Sequence, residues 1–231
     1  MDNLEVKFYD TVADSLLKFA VIISQSNGKW VFCKHKERDT YEVPGGHREV
    51  GEDILETAKR ELREETGAIQ FDMKPICVYS VTGKNRVNDT GEETYGLLCF
   101  AEITEFDKEL HSEMEKVVLL DELPENWTYP LIQPKLIEKY LAVERLDYAK
   151  TQSIAKQTIE YIKKNIRPNQ NLREIRELCE EKLLGLGAEA ASDCDIVYTY
   201  RKGTRPFYLF ICKFSYFHQI VSSTILSLSP L

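Results

Sequence analysis

Apolar residues along the chain recur with two different periods, and the switches between them set out the elements. Residues 17–24 (LKFAVIIS) and 29–34 (KWVFCK) are short runs rich in β-branched and aromatic side chains, placed on either side of Gln25, Ser26, Asn27 and Gly28. Two such runs around an Asn-Gly turn predict a β-hairpin. After the turn-prone Pro44-Gly45-Gly46 the period lengthens. Residues 53–66 set Leu55, Ala58 and Leu62 at helical spacing among charged neighbours, and Gly67 follows to close the helix. Strand-like runs come next at 69–81, 95–103 and 116–120. The polar stretch 82–93 (TGKNRVNDTGEE) between the first two is long enough to predict a functional or mobile loop. Residues 130–146 read as a helix with Pro134 in its first turn. Strands then helix, twice over, predict a compact α/β domain over residues 1–147.

The rest of the chain has a different texture. Residues 148–166 and 172–184 read as two amphipathic helices, the first stopped by Pro168 and the second capped by Asn171 ahead of Glu174. They make a helical appendage over 148–189. The tail, 190–231, has no acidic residue after Asp195 and clusters Tyr198, Tyr200, Phe207, Tyr208, Phe210, Phe214, Tyr216 and Phe217. Residues 207–228 approach membrane-spanning length, but Lys213, His218, Gln219 and several serines interrupt them, which argues against a span. The shift in composition near Ala190 points to a truncated or frame-shifted fusion remnant, or to an extension that packs on a partner.

Composition narrows the classes. With 43% hydrophobic and 29% charged residues the chain has ample material for a core. A net charge of -8 argues against charge-driven nucleic-acid binding, because neutralising many phosphates needs a basic surface. It leaves open a small phosphorylated ligand held by metal ions. The six cysteines (Cys33, Cys77, Cys99, Cys179, Cys194, Cys212) include no C-x-x-C pair, so neither a zinc ribbon nor a disulfide framework is expected. The first fifteen residues have no basic segment followed by an apolar one, and the expected compartment is the cytoplasm.

The candidate chemistry lies between Gly46 and Ala68. On a helix turning about 100° per residue, Glu61 and Glu65 lie about 40° apart, with Glu64 on their flank. Leu55, Ala58 and Leu62 form the neighbouring stripe, which faces the core. Three carboxylates therefore converge along one edge, where without countercharge each raises the others' pKa. A hard dication relieves this, and Mg²⁺ is commonly shared between one or two carboxylates and substrate phosphates. Arg60 can pair with Glu56 or Glu64 at helical spacing. Gly46 lets the chain turn into the helix and Gly67 lets it leave.

The segment fits G-x5-E-x7-R-E-U-x-E-E-x-G-U at every fixed position, with Ala68 in place of a bulkier final aliphatic residue. Residues 17–146 thereby resemble the Nudix hydrolases, most of all the MutT-type nucleoside triphosphate pyrophosphohydrolases. Val43-Pro44-Gly45-Gly46 before the helix and Asp121-Glu122-Leu123-Pro124 after the last strand add to the likeness. The resemblance implies an α/β/α sandwich with a mixed sheet and hydrolysis of a nucleoside diphosphate linked to another group, dependent on Mg²⁺ or Mn²⁺. It implies Glu61, Glu64 and Glu65 as metal ligands, Arg60 as the residue that orients them, and Glu52 as support. A further carboxylate before the last strand would be Glu113, with Glu115 the runner-up. For a triphosphate, an oxidised purine such as 8-oxo-dGTP among the candidates, the products are a monophosphate and pyrophosphate. Alternatives are a nucleotide sugar or dinucleoside polyphosphate as substrate, or a nucleotide sensor without turnover. Lys34, Arg38 and His47 read as surface groups, and Tyr79, Tyr95, Trp127 and Tyr129 are candidates to stack on a base. Residues 154–188 resemble the helical opening of the pita-bread metallopeptidases, but their Asp, Asp, His, Glu, Glu metal set has nowhere to sit, so peptidase activity is not expected.

Overall fold

The computed structural model describes residues 4–35, 39–86, 88–107, 114–167, 170–188, 194–199, 207–212 and 225–226. It divides into two compact units, 1–144 and 145–231.

The first unit is built on an eight-stranded mixed sheet. The predicted hairpin forms β2 (Leu17–Ser26) and β3 (Lys29–His35), turned by Asn27 and Gly28 at φ 51° and 77°. Both turn residues are left-handed, as the tight turn between twisted strands demands. Three strands were not legible in the sequence: β1 (Glu5–Tyr9), β4 (Tyr41–Glu42) and β5 (Gly45–His47). The Pro-Gly-Gly read as a turn instead carries β5, which pairs antiparallel with β2. The remaining strands are β6 (Ala68–Thr82), β7 (Thr94–Phe106) and β8 (Met114–Leu120). The order runs β1-β6-β7-β2-β3-β4, with β8 on β3, and β2 is parallel to β7.

Alternation along the strands buries both faces of this sheet. Ala20, Ile22, Leu97, Cys99, Ala101 and Ile103 form one core with Ile54, Ala58 and Leu62 of α1 (Ile54–Thr66). Ile23, Phe32, Tyr79, Leu98 and Phe100 form the other with Leu136, Ile137 and Tyr140 of α2 (Gln133–Asn165). Tyr140 stacks on Phe100 at 4.7 Å between ring centres, and Lys74 pairs with Glu144 at 2.8 Å. These are the layers of an α/β/α sandwich.

The two helices expected on either side of residue 147 are one continuous α2, because residues 145–150 (RLDYAK) contain neither glycine nor proline to break it. The boundary between the units falls within this helix. In the second unit Asn171 caps α3 (Leu172–Gly185) as expected, its Oδ1 accepting the Glu174 N–H at 3.0 Å. Ile154 packs with Leu183, and Ile162 with Ile175 and Cys179. Pro168 lies outside the described residues. The tail forms β9 (Cys194–Thr199), β10 (Phe207–Cys212) and β11 (Ile225–Leu226) in a separate antiparallel sheet. Among the described residues no helix is long and apolar enough to cross a membrane.

Candidate active site

Caps at both ends fix α1 in place. Asp53 Oδ1 accepts the Leu55 N–H at 2.9 Å, satisfying one of the first-turn donors. Gly67, at φ 70°, ends the helix and donates to the Arg63 carbonyl at 2.8 Å. With Ile54, Thr57, Ala58, Leu62 and Thr66 buried, Glu61, Glu64 and Glu65 are left on the edge beside β5. The Gly45 N–H donates to Glu65 Oε2 at 2.9 Å. Gly46 lies so close to the Glu61 carboxylate that a Cβ there would collide with it.

Arg60 ties the group together. Its Nε donates to Glu52 Oε1 at 2.9 Å, and its Nη1 donates to Glu61 Oε1 at 2.7 Å and Glu64 Oε2 at 3.2 Å. Its Nη2 reaches the His47 carbonyl at 3.0 Å and Glu52 Oε2 at 3.2 Å. Glu56, the other partner open to Arg60 on spacing alone, pairs with Lys59 at 2.7 Å. Glu52 also accepts from the Thr57 hydroxyl at 2.8 Å and the Glu49 N–H at 3.1 Å. These donors, the Arg60 guanidinium first, hold the Glu52 carboxyl down at about 2.

Glu61 and Glu65 are pushed the opposite way. Burial raises Glu61, against the pull of Arg60, and the charges of Glu64 and Glu52 add to the rise. Burial pushes Glu65 up to about 8, the Gly45 N–H opposing and Glu61, Glu42 and Glu64 reinforcing. One helix edge thus holds more negative charge than its surroundings balance. Hard oxygen donors in excess of countercharge are what Mg²⁺ or Mn²⁺ takes, so the donor set fits such an ion. Among the described residues no three His, Cys, Asp or Glu groups stand close enough to hold a metal as they are placed. Glu61 and Glu64 are turned onto Arg60, and Glu65 onto Gly45.

Of the residues read from sequence, the structure brings Gly46, Glu52, Arg60, Glu61, Glu64 and Glu65 together, with Gly67 closing the helix that carries them. Glu113 lies outside the described residues, as does the side chain of Glu115 in β8. Lys34 pairs with Asp39 at 3.0 Å, and His47 is exposed while its carbonyl serves Arg60. Tyr79 is not available to stack on a base: it is a core residue, buried against Phe19. Trp127 packs edge-on against Phe32, Tyr95 packs against Tyr9, and Tyr129 is partly buried at the α2 core. The polar loop after β6 is pinned internally, Asn88 donating to the Glu92 carbonyl at 2.6 Å and accepting from the Thr90 hydroxyl at 3.0 Å.

Sequence reasoning missed Glu42. It is 6% exposed on β4, and its charge bears on Glu65 and on the buried Cys33 thiol. A lone carboxylate beside the apolar Val43 and just ahead of Pro-Gly-Gly was the available signal, since buried acids are rare without a purpose.

The NUDIX domain family model matches residues 15–140, more than half of the chain, and the protein belongs to that family of hydrolases. YtkD of Bacillus subtilis (strain 168), which bears 8-oxo-dGTP diphosphatase as a provisional name, is 34% identical over 126 residues, 54% of this chain and 75% of that one. The crystal structure of a mutant of the Bacillus subtilis pyrophosphohydrolase BsRppH superposes with a TM-score of 0.51 at 27% identity, covering 62% of this chain and 92% of that one.

Proposed function

We propose that the protein is a Mg²⁺-dependent pyrophosphohydrolase that converts a nucleoside triphosphate to the monophosphate and pyrophosphate. The observation that carries this reading is the crowding of Glu61, Glu64 and Glu65 against Gly45 and Gly46, with Glu65 driven up to about 8 by burial and by neighbouring acids. A pure binding module has no use for such a costly arrangement. Glu61, Glu64 and Glu65 would hold the metal, which when bound neutralises polyphosphate charge and lowers the pKa of a water. Arg60 keeps Glu61 and Glu64 oriented, and Glu52 keeps Arg60 in place. The Gly45 N–H aims the Glu65 carboxylate. One carboxylate of the set accepts the proton of the attacking water, and the leaving group departs in line with the attack.

An oxidised purine triphosphate such as 8-oxo-dGTP is the first substrate to try, supported by the provisional name of YtkD. The same reading assigns catalysis to residues 1–147 and none to the helical appendage 148–189 or the tail 190–231. A cytoplasmic setting fits the buried thiols of Cys33, Cys77 and Cys99, none of which is in a disulfide. The test is product release by the purified chain with Mg²⁺. The panel holds canonical and oxidised nucleoside triphosphates, a nucleotide sugar and a dinucleoside polyphosphate, with Glu65→Gln as control. Pyrophosphate plus monophosphate, absent with the control, is the expected result. Silence across the panel with nucleotide still bound would overturn it in favour of a sensor.

A further inference from the structure

The loop that delivers Glu52 to the helix has few attachments of its own. Gly51 takes φ 80° and Val50 is fully exposed, so neither packing nor strand pairing holds residues 49–51. The Glu52 carboxylate is tied to Arg60 and Thr57, and Arg48 ties the Glu52 main chain back to the sheet. The Arg48 backbone N–H donates to the Lys18 carbonyl at 2.8 Å, extending the pairing of β5 with β2 by one residue. Its side chain then spans two segments. Nε donates to the Glu52 carbonyl at 2.6 Å, while Nη1 and Nη2 grip Asp14 through its carbonyl at 3.0 Å and its Oδ2 at 2.9 Å. The Arg48 side chain is only 20% exposed, so this fork is partly screened from water.

A connected path results. Asp14 fixes Arg48, Arg48 fixes the Glu52 main chain, and the Glu52 carboxylate fixes Arg60, whose Nη1 holds Glu61 and Glu64. Asp14 lies one residue before the span that the family model matches, so the path begins outside that span. We propose that Arg48, clamped by Asp14, is a positioning residue that sets the placement of the Glu61 and Glu64 carboxylates for a divalent cation. The inference rests on the metal-dependent reading given above. It differs from that reading in assigning the placement to a side chain that touches neither metal nor substrate.

Outer partners of metal ligands typically tune affinity by about 10–100-fold. Arg48 acts through two further residues, so the lower end applies. Direct titration of the substrate-free protein with Mn²⁺, read by calorimetry, is the test, with the thermal midpoint of each variant measured alongside. Arg48→Ala is expected to weaken Mn²⁺ about tenfold. Arg48→Lys keeps a charge for Asp14 but cannot also reach the Glu52 carbonyl, so it restores only part, to about threefold. Asp14→Asn keeps the carbonyl contact and loses the ion pair, again about threefold. If Asp14 acts only through Arg48, the Arg48→Ala, Asp14→Asn double variant is no weaker than Arg48→Ala alone.

Mn²⁺ affinity unchanged in Arg48→Ala, with wild type binding normally, overturns the clamp and leaves the metal reading standing. A lowered thermal midpoint with unchanged affinity overturns it too, and leaves Arg48 a structural role only. If Arg48→Ala does not fold, unchanged affinity in both Arg48→Lys and Asp14→Asn likewise overturns it. Failure of wild type to bind Mn²⁺ at all overturns the metal reading and the clamp with it.

Discussion

Replacing Glu65 by glutamine should abolish turnover and yet make the metal-free protein more stable. The carboxyl ionises near 4.5 as an ordinary side chain and at about 8 in the fold, where burial and the charges of Glu61, Glu42 and Glu64 disfavour the anion. Because the folded value is the higher one, the folded chain holds the proton more tightly. The stability this proton confers is complete below about 4.5 and is lost as pH rises through about 8. Between those values the native state loses about 1.4 kcal/mol per pH unit. The accumulated loss is about 1 kcal/mol near pH 5 and about 3 kcal/mol near pH 7. Glutamine cannot ionise and still offers an oxygen to the Gly45 N–H. Urea unfolding in EDTA from about pH 5 to about pH 9 should therefore show Glu65→Gln gaining on wild type as pH rises, by about 3 kcal/mol near neutrality. Added Mg²⁺ should close the gap by stabilising wild type selectively, about 2.7 kcal/mol at a hundredfold excess over its Kd. A variant less stable than wild type across the whole range, or a difference that does not change with pH, would refute the account of charge crowding at this edge.

Three more outcomes test the same geometry. Arg60→Ala should lower the urea midpoint of the metal-free protein, because it strips the countercharge from Glu52, Glu61 and Glu64 together; an unchanged midpoint would mean the pairs contribute nothing to stability. Gly46→Ala should keep the fold, since the atoms nearest the new Cβ are the movable end of Glu61, but lower kcat/KM about a hundredfold by displacing that carboxylate; activity within a factor of three of wild type would contradict the contact. Deleting residues 148–231 should spare product release, because Leu136, Ile137 and Tyr140, which seal the sheet, all precede the cut; an inactive but folded truncation would show that the second unit contributes to the site.

The helix and its chemistry were legible because both are local. Asp53, Gly67 and the spacing of Ala58 and Leu62 specify a capped amphipathic helix within a single short stretch of chain, and the same spacing puts three glutamates on one edge. Asn27-Gly28 was legible for a similar reason, since a tight turn is written in the two residues that adopt it. The single α2 was not. Tyr148 offered a new apolar stripe and suggested a new element, whereas continuity depends on the absence of a breaker, which a search for starts and stops weighs too lightly.

Glu42 and Arg48 were missed for a deeper physical reason. A motif records side chains that must stand at fixed spacing on one element, and it carries no information about groups delivered by pairing between elements. Glu42 reaches Glu65 because β4 lies beside β3 while β5 continues onto β2, which turns the intervening chain across the end of α1. Arg48 reaches Asp14, 34 residues away in sequence, because β5 aligns with the start of β2. Both are properties of sheet register, and register is set by the hydrophobic alternation of strands distant in sequence. The glutamates of α1 supply the charge, but the neighbouring sheet decides how closely that charge is confined. A chain with the same motif and a different β4 would keep the three carboxylates and lose the Glu42 charge that adds to the effect of burial on Glu65.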